Sequence, residues 1–202
     1  MLAIAVPAMG CNNYNLLDRV ETPGGAGVNL AGNGSTSCGS DCRIFVTANT
    51  HQGNLGGAQG ADNQCNSDPA RPQGTTNWKA LISATPERTA CTSDNCSTGG
   101  LAENFNWVLR PNTLYRRPDG QVIGTTNESA IFDFELQNAI GSNLYYVWTG
   151  LNAYWVQDVN CSNWADNTPT GFYGWSNDIT GSAIGNSYAP CNSQQHLYCV
   201  EQ

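Results

Sequence analysis

The chain has 202 residues, with 16 acidic against 8 basic side chains and only 12% charged residues. A net charge of −8 repels phosphate backbones and anionic lipid headgroups, so nucleic acid and heparin-like polyanions are poor partners. The length suits one domain plus a tail, and 22 glycines with abundant Asn, Ser and Thr favour turns and loops over helix.

In chain order, "LAIAVPAMGC" (2–11) runs small and apolar residues straight into Cys11. It reads as the end of an export signal, residues 1–11, whose cysteine becomes the lipid-carrying first residue of the mature protein, with Ala8 where Leu is usual. Parity supports this reading: of nine cysteines, eight remain to pair once Cys11 carries lipid. Residues 12–40 are Gly-, Asn- and Ser-rich and read as a flexible tether. The folded domain is expected over 41–202. No run reaches the ~18–20 apolar residues of a membrane helix, so attachment is expected through the lipid alone.

"RIFVTANT" (43–50) reads as a strand. In "GGAQGADNQCNSD" (56–68), Ala58, Ala61 and Cys65 fall at helical spacing and predict a short helix with Cys65 buried. "NWKALISA" (77–84) fits either a helical stripe or a strand. A local disulfide between Cys91 and Cys96 would brace the Ser/Asn/Gly-rich loop that they bracket. "LYRRPDGQVI" (114–123) is a hairpin with Gly120 in the turn. "ESAIFDFELQNAI" (128–140) is the best helix candidate, although its apolar spacing also fits a strand in part. "LYYVWTGLN" (144–152) reads as a buried strand. "CSNWADNTPTGFYGWSNDITG" (161–181) packs aromatic residues into turn-rich sequence, as a folded loop or a binding surface. "HLYCV" (196–200) is the final strand.

Cysteine usage this heavy, without any CxxC, favours disulfides in an oxidising compartment over structural zinc. His51 and His196 lack any GxSxG, HExxH or SxxK frame, so neither a catalytic residue nor a cofactor is expected and the chain is not read as an enzyme. Trp78, Trp107 and Trp148 are expected in the core. Trp164 is expected to pin the long loop, and Trp175 is the first choice for a partner contact.

The last third resembles a known arrangement. "VWTGLN" is similar to the core strand of C-type-lectin-like domains, and Cys161, Cys191 and Cys199 follow it in that fold's order. The closer resemblance is to endostatin domains and their bacterial counterparts. "RIFVTANTHQGNLGGAQGADNQC", "LYRRPDGQVI", "VWTGLN", "CSNW" and "LYCVEQ" follow in the right order from Arg43 to Gln202. With the lipobox-like Cys11 and the tether, the chain resembles leptospiral endostatin-like lipoproteins. The resemblance implies a loop-rich, disulfide-braced α+β domain with mixed, mainly antiparallel sheet and one or two short helices. It implies bridges Cys65–Cys199 and Cys161–Cys191, leaving Cys38–Cys42 and Cys91–Cys96 as local pairs. It also implies a monomeric lipoprotein, exported to the outer-membrane surface, that binds laminin, fibronectin, complement factor H or plasminogen. The alternatives are a carbohydrate-binding lectin-like module and a structural envelope lipoprotein.

Calcium-dependent sugar binding does not carry over. Thr168-Pro169-Thr170 stands where lectins place a carboxylate and an amide, although Asp166 and Asp178 leave room for a different ion site. No metal is assigned. Animal endostatin binds heparin through clustered arginines, whereas Arg116-Arg117 is the only basic doublet here, so at most weak, salt-sensitive heparin binding is expected. The candidate partner-binding residues are Trp175, Tyr173, Phe172, Asp178, Arg116 and Arg117.

Overall fold

Strand β1 (Asp41–Val46) lies at the centre of a five-stranded sheet in the computed structural model of the chain, which describes residues 38–74 and 77–202. The expected export signal, Cys11 and the tether as far as residue 37 lie outside the described residues. The sheet runs β2-β8-β1-β3-β4, with β2 (Trp78–Ala80), β3 (Leu114–Arg116), β4 (Val122–Thr125) and β8 (Tyr198–Glu201). Its pairs are antiparallel except β1 with β3. Buried strands need apolar or paired side chains on both faces. β8 meets this with Tyr198, Cys199 and Val200, while Glu201 takes the guanidinium of Arg43 at 2.8 Å. The open choice at residues 77–84 is settled as strand for Trp78–Ala80, because Trp78 and Ala80 are buried and pair with β8.

Helix α1 (Gly57–Ser67) buries Ala58, Ala61 and Cys65 at the expected spacing. It packs on β2 and β8, and the small residues let it come close. At Gly60 any side chain would fall 1.9 Å from the Leu55 carbonyl oxygen, so the turn into α1 requires glycine. Asp62 on the same face is also buried. Its carboxylate takes Arg88 Nη1 at 2.9 Å and Nη2 at 2.7 Å, together with the Ala80 backbone N–H at 2.8 Å.

The β3–β4 hairpin forms as read, with Gly120 at φ +88° and Asp119 accepting from the Gln121 N–H. The helix expected over 128–140 does not form. Ala130, Ile131 and Phe132 are consecutive and all buried, with Leu136 and Ile140 beyond, which one helical stripe cannot achieve. The backbone bonds outward instead, with the Leu136 N–H on Ile179 O and the Gln137 N–H on Ile123 O. Phe132 and Phe134 thereby reach Trp155, Phe134 stacking on it at 5.7 Å.

A second, antiparallel sheet has order β5-β6-β7, with β5 (Tyr146–Trp148), β6 (Thr170–Trp175) and β7 (Ser187–Pro190). The aromatic-rich stretch at 161–181 is therefore folded rather than loose. Before it stands one helical turn, α2 (Cys161–Trp164), whose four residues all have φ between 54° and 62°. L-residues resist this left-handed conformation at about 1–2 kcal/mol each. It is held by the Asn160 carboxamide, by the buried Trp164 indole donating to Ser83 O at 2.8 Å, and by the Cys161–Cys191 bridge.

Four disulfides join Cys38–Cys42, Cys65–Cys199, Cys91–Cys96 and Cys161–Cys191, the pairing that the resemblance implied. The domain is α+β, loop-rich and disulfide-braced, with mainly antiparallel sheet and few short helices. Its apolar side chains form two clusters, one around Ile44, Tyr115, Phe132 and Trp155, the other around Phe45, Trp78, Trp148 and Trp164. Trp78, Trp148 and Trp164 take the places expected of them, while Trp107 is only half-buried and packs on the edge of the first cluster.

Candidate binding surface

The β5–β6–β7 sheet presents its two faces differently because side chains alternate along each strand. Tyr146 lies opposite Trp175, and Trp148 opposite Tyr173. These four residues share one face with Gly171, Ser187 and Ala189. One end of that face is sealed, where Trp148 and Gly171 pack beside Cys161. The other end is open: Tyr146 is 45% and Trp175 37% exposed, and the Tyr173 ring lies 5.2 Å from that of Tyr146.

Two glycines make this arrangement possible. A side chain at Gly171 would meet Cys161 Sγ at 2.6 Å and the Trp148 ring at 3.1 Å. At Gly174 it would fall 2.0 Å from Ala183 O, on the reverse face. The segment Gly181–Ala183 therefore backs the strand directly, and Tyr173 and Trp175 project from a supported sheet. Ser176 fixes the end of β6: its Oγ accepts from the Tyr145 N–H at 2.9 Å and donates to Asn143 O at 2.6 Å. Rigid aromatic side chains lose little entropy on contact, which suits them to anchor a protein partner.

The structure brings together some of the candidate partner-binding residues and separates others. Tyr173 and Trp175 share the open end. Phe172 points to the opposite face, where it pairs with Tyr188, itself 65% exposed. Asp178 lies in the turn after β6 and is occupied, its Oδ1 accepting from the Thr180 N–H and Oγ1, both at 2.7 Å. Asp166 likewise accepts from the Thr168 N–H, which holds its carboxyl below the usual range. Arg116 and Arg117 belong to the β3–β4 hairpin of the other sheet. Each is already paired, Arg116 with Asp41 at 3.0 Å and Arg117 with Asp119 at 2.6 Å. The Arg117 hydrogen bond keeps the Asp119 carboxyl low, so the doublet presents two neutral pairs rather than a cationic patch.

Sequence reasoning missed Tyr146 and Tyr188. Tyr146 sits in the run read as a wholly buried strand, yet burial begins only at Val147, and Leu144 is 54% exposed. The available signal was alternation: a Tyr before Val-Trp in a short strand points away from the Val. Tyr188 gave no signal, because β7 is too short to show a period.

The histidines lie elsewhere. His196 Nδ1 is 2.7 Å from Thr47 O, and its ring packs 4.2 Å from Tyr145. Burial holds His51 below the ordinary imidazole range against the pull of Asp68. Among the described residues, no group of three or more His, Cys, Asp and Glu is placed to hold a metal ion. No helix among them is long and apolar enough to cross a membrane.

A family model described as a protein of unknown function (DUF1554) matches residues 48–180 of the chain. No curated protein matches it.

Proposed function

We propose that this chain, which belongs to the DUF1554 family, is a lipid-anchored surface adhesin that docks a protein partner on the open aromatic end of its β5–β6–β7 sheet. The observation that carries this reading is the cluster of Tyr146 on β5 with Tyr173 and Trp175 on β6, at the open end of two paired strands of which β6 is backed through its glycines. Exposed aromatics on a braced scaffold provide area for a hot spot at low ordering cost. The four disulfides support display outside a reducing compartment. The resemblance to endostatin-like lipoproteins supplies the partner class: laminin, fibronectin, complement factor H and plasminogen. In this reading the lipid on Cys11 anchors the chain in the outer membrane, the tether runs from residue 12 to the start of the folded domain at the Cys38–Cys42 bridge, and the domain acts as a monomer. A tether of this kind reaches on the order of 30 Å as a flexible coil.

The test is surface plasmon resonance of the oxidised full chain over those four immobilised proteins, beside the variant Tyr146→Ala/Trp175→Ala. Saturable binding to at least one of them, weakened tenfold or more in the variant, is expected. Binding to none, or equal binding by the variant, sinks the reading. Labelling with a radioactive fatty acid, with Cys11→Ser as control, tests the anchor, and an unlabelled wild-type chain removes it.

A further inference from the structure

A second surface feature lies apart from the aromatic residues. Where the chain leaves β1 and enters α1 it meets the 192–196 segment, leaving an open cleft of about 380 Å³. Thr50, His51, Gln52, Asn54, Gln64 and Gln194 line it, with Leu55 the one apolar contributor. Four of these side chains are carboxamides and none is a carboxylate, lysine or arginine. Burial lowers the His51 imidazole below its ordinary range, and its buried Nε2 has no hydrogen-bond partner in the protein.

We propose that this cleft is a calcium-independent binding site for a neutral saccharide. A carboxamide offers two donors and an acceptor in one plane, which matches the mixed donor and acceptor character of sugar hydroxyls. An ionic ligand would find no counter-charge here. An apolar ligand would strip water from the amides without replacing its hydrogen bonds. Calcium coordination needs hard oxygen ligands that usually include carboxylates, and the lining has none. The volume falls at the low end of ligand pockets, ~300–1,000 Å³, with room for about one or two sugar rings.

The walls are preorganised. The His51 N–H donates to Gln195 O at 2.7 Å, the Gln195 N–H returns a bond to His51 O at 3.0 Å, and the Trp148 indole donates to the same oxygen. Gln52 is held at both ends of its amide, donating to Asn192 O at 3.0 Å and accepting from Asn167 Nδ2 at 3.3 Å. Gly53 donates to Cys191 O at 2.7 Å, beside the Cys161–Cys191 bridge. Gln64 precedes Cys65, which the Cys65–Cys199 bridge fixes. Two disulfides thus brace the segments that carry the amides, which reduces the ordering cost of binding.

The experiment is isothermal titration calorimetry and ligand-observed NMR on the oxidised full chain. The panel holds neutral mono- and disaccharides, each with an acidic counterpart, with and without EDTA. At least one neutral sugar should bind with a dissociation constant on the order of 1 mM, unchanged by EDTA. Gln64→Ala and Gln194→Ala, checked for folding by circular dichroism, should each weaken it about tenfold. Tyr146→Ala/Trp175→Ala should retain it, which separates this site from the aromatic face. Absence of neutral-sugar binding, preference for the acidic counterparts, loss in EDTA, or wild-type affinity in both glutamine variants would overturn the proposal.

Discussion

Replacing Arg88 by Met removes the partner of a buried charge. Arg88 and Asp62 expose 1% and 8% of their side chains, and two guanidinium nitrogens meet both carboxylate oxygens at 2.9 and 2.7 Å. Arg88 Nη1 also donates to Ala80 O at 2.8 Å, and the Ala80 N–H donates to Asp62 Oδ1, so the pair ties α1 to β2. Methionine fills much of the arginine volume but leaves Asp62 in the interior with one backbone donor. Breaking a buried pair in this way costs about 3–5 kcal/mol, most of it the uncompensated charge. For a domain of this size each kcal/mol moves Tm by roughly 2–4 °C, so a fall on the order of 10 °C is expected. The assay is urea and thermal unfolding at pH 7 with the disulfides intact, where a two-state treatment applies. The double variant Asp62→Leu/Arg88→Met should lose less than the single, since no charge is left behind, and the cycle should give a clear coupling energy. A loss below about 1 kcal/mol in Arg88→Met would refute the reasoning.

Further outcomes follow from the same physics. Burial pushes the Glu103 carboxyl up, but donation from Ser93 Oγ and the Gly99, Ser93 and Thr92 N–H groups outweighs it and brings the group from 4.5 to about 2. A depressed folded pKa contributes stability that is complete above pH 4.5 and vanishes as pH falls through 2. Glu103→Gln should therefore be less stable than wild type at neutral pH, with the gap closing between pH 4.5 and 2 in acid unfolding curves; a constant gap contradicts this. Cys65 and Cys199 lie 134 residues apart, and opening that loop in Cys65→Ala/Cys199→Ala should cost up to about 5 kcal/mol by chain entropy, read as a lower urea midpoint. Heparin retention should be weak and gone at physiological salt, because Arg116 and Arg117 are already paired; tight retention lost in Arg116→Ala/Arg117→Ala would contradict the pairing.

Local chemistry was legible in the residues themselves, whereas of the long-range chemistry only the disulfide pairing was, and that through the family resemblance. Ala58, Ala61 and Cys65 announce α1 because helix periodicity is a property of neighbours, and "PDG" announces the hairpin for the same reason. The stretch 128–140 misled because its apolar residues fit a helical spacing while the core takes them from several sides, through Phe132 and Phe134 on Trp155. The Asp62–Arg88 pair joins residues 26 apart with no shared pattern. On the candidate surface, Trp175 and Tyr173 stood out as aromatics among turn residues. Their companion Tyr146 comes from another strand, and only the register of β5 on β6 brings it alongside. That register depends on Gly171 and Gly174, whose role is visible only once the Trp148 ring and Ala183 O are in place.

Hydrogen–deuterium exchange of the oxidised chain, alone and saturated with whichever of the four proteins binds, tests the docking face most directly. Docking there should slow exchange in β5, β6 and β7, with Tyr146 and Trp175 inside the protected peptides and the β3–β4 hairpin unchanged. Protection centred on residues 114–125, with the β5–β6–β7 amides exchanging as in the free chain, would contradict it.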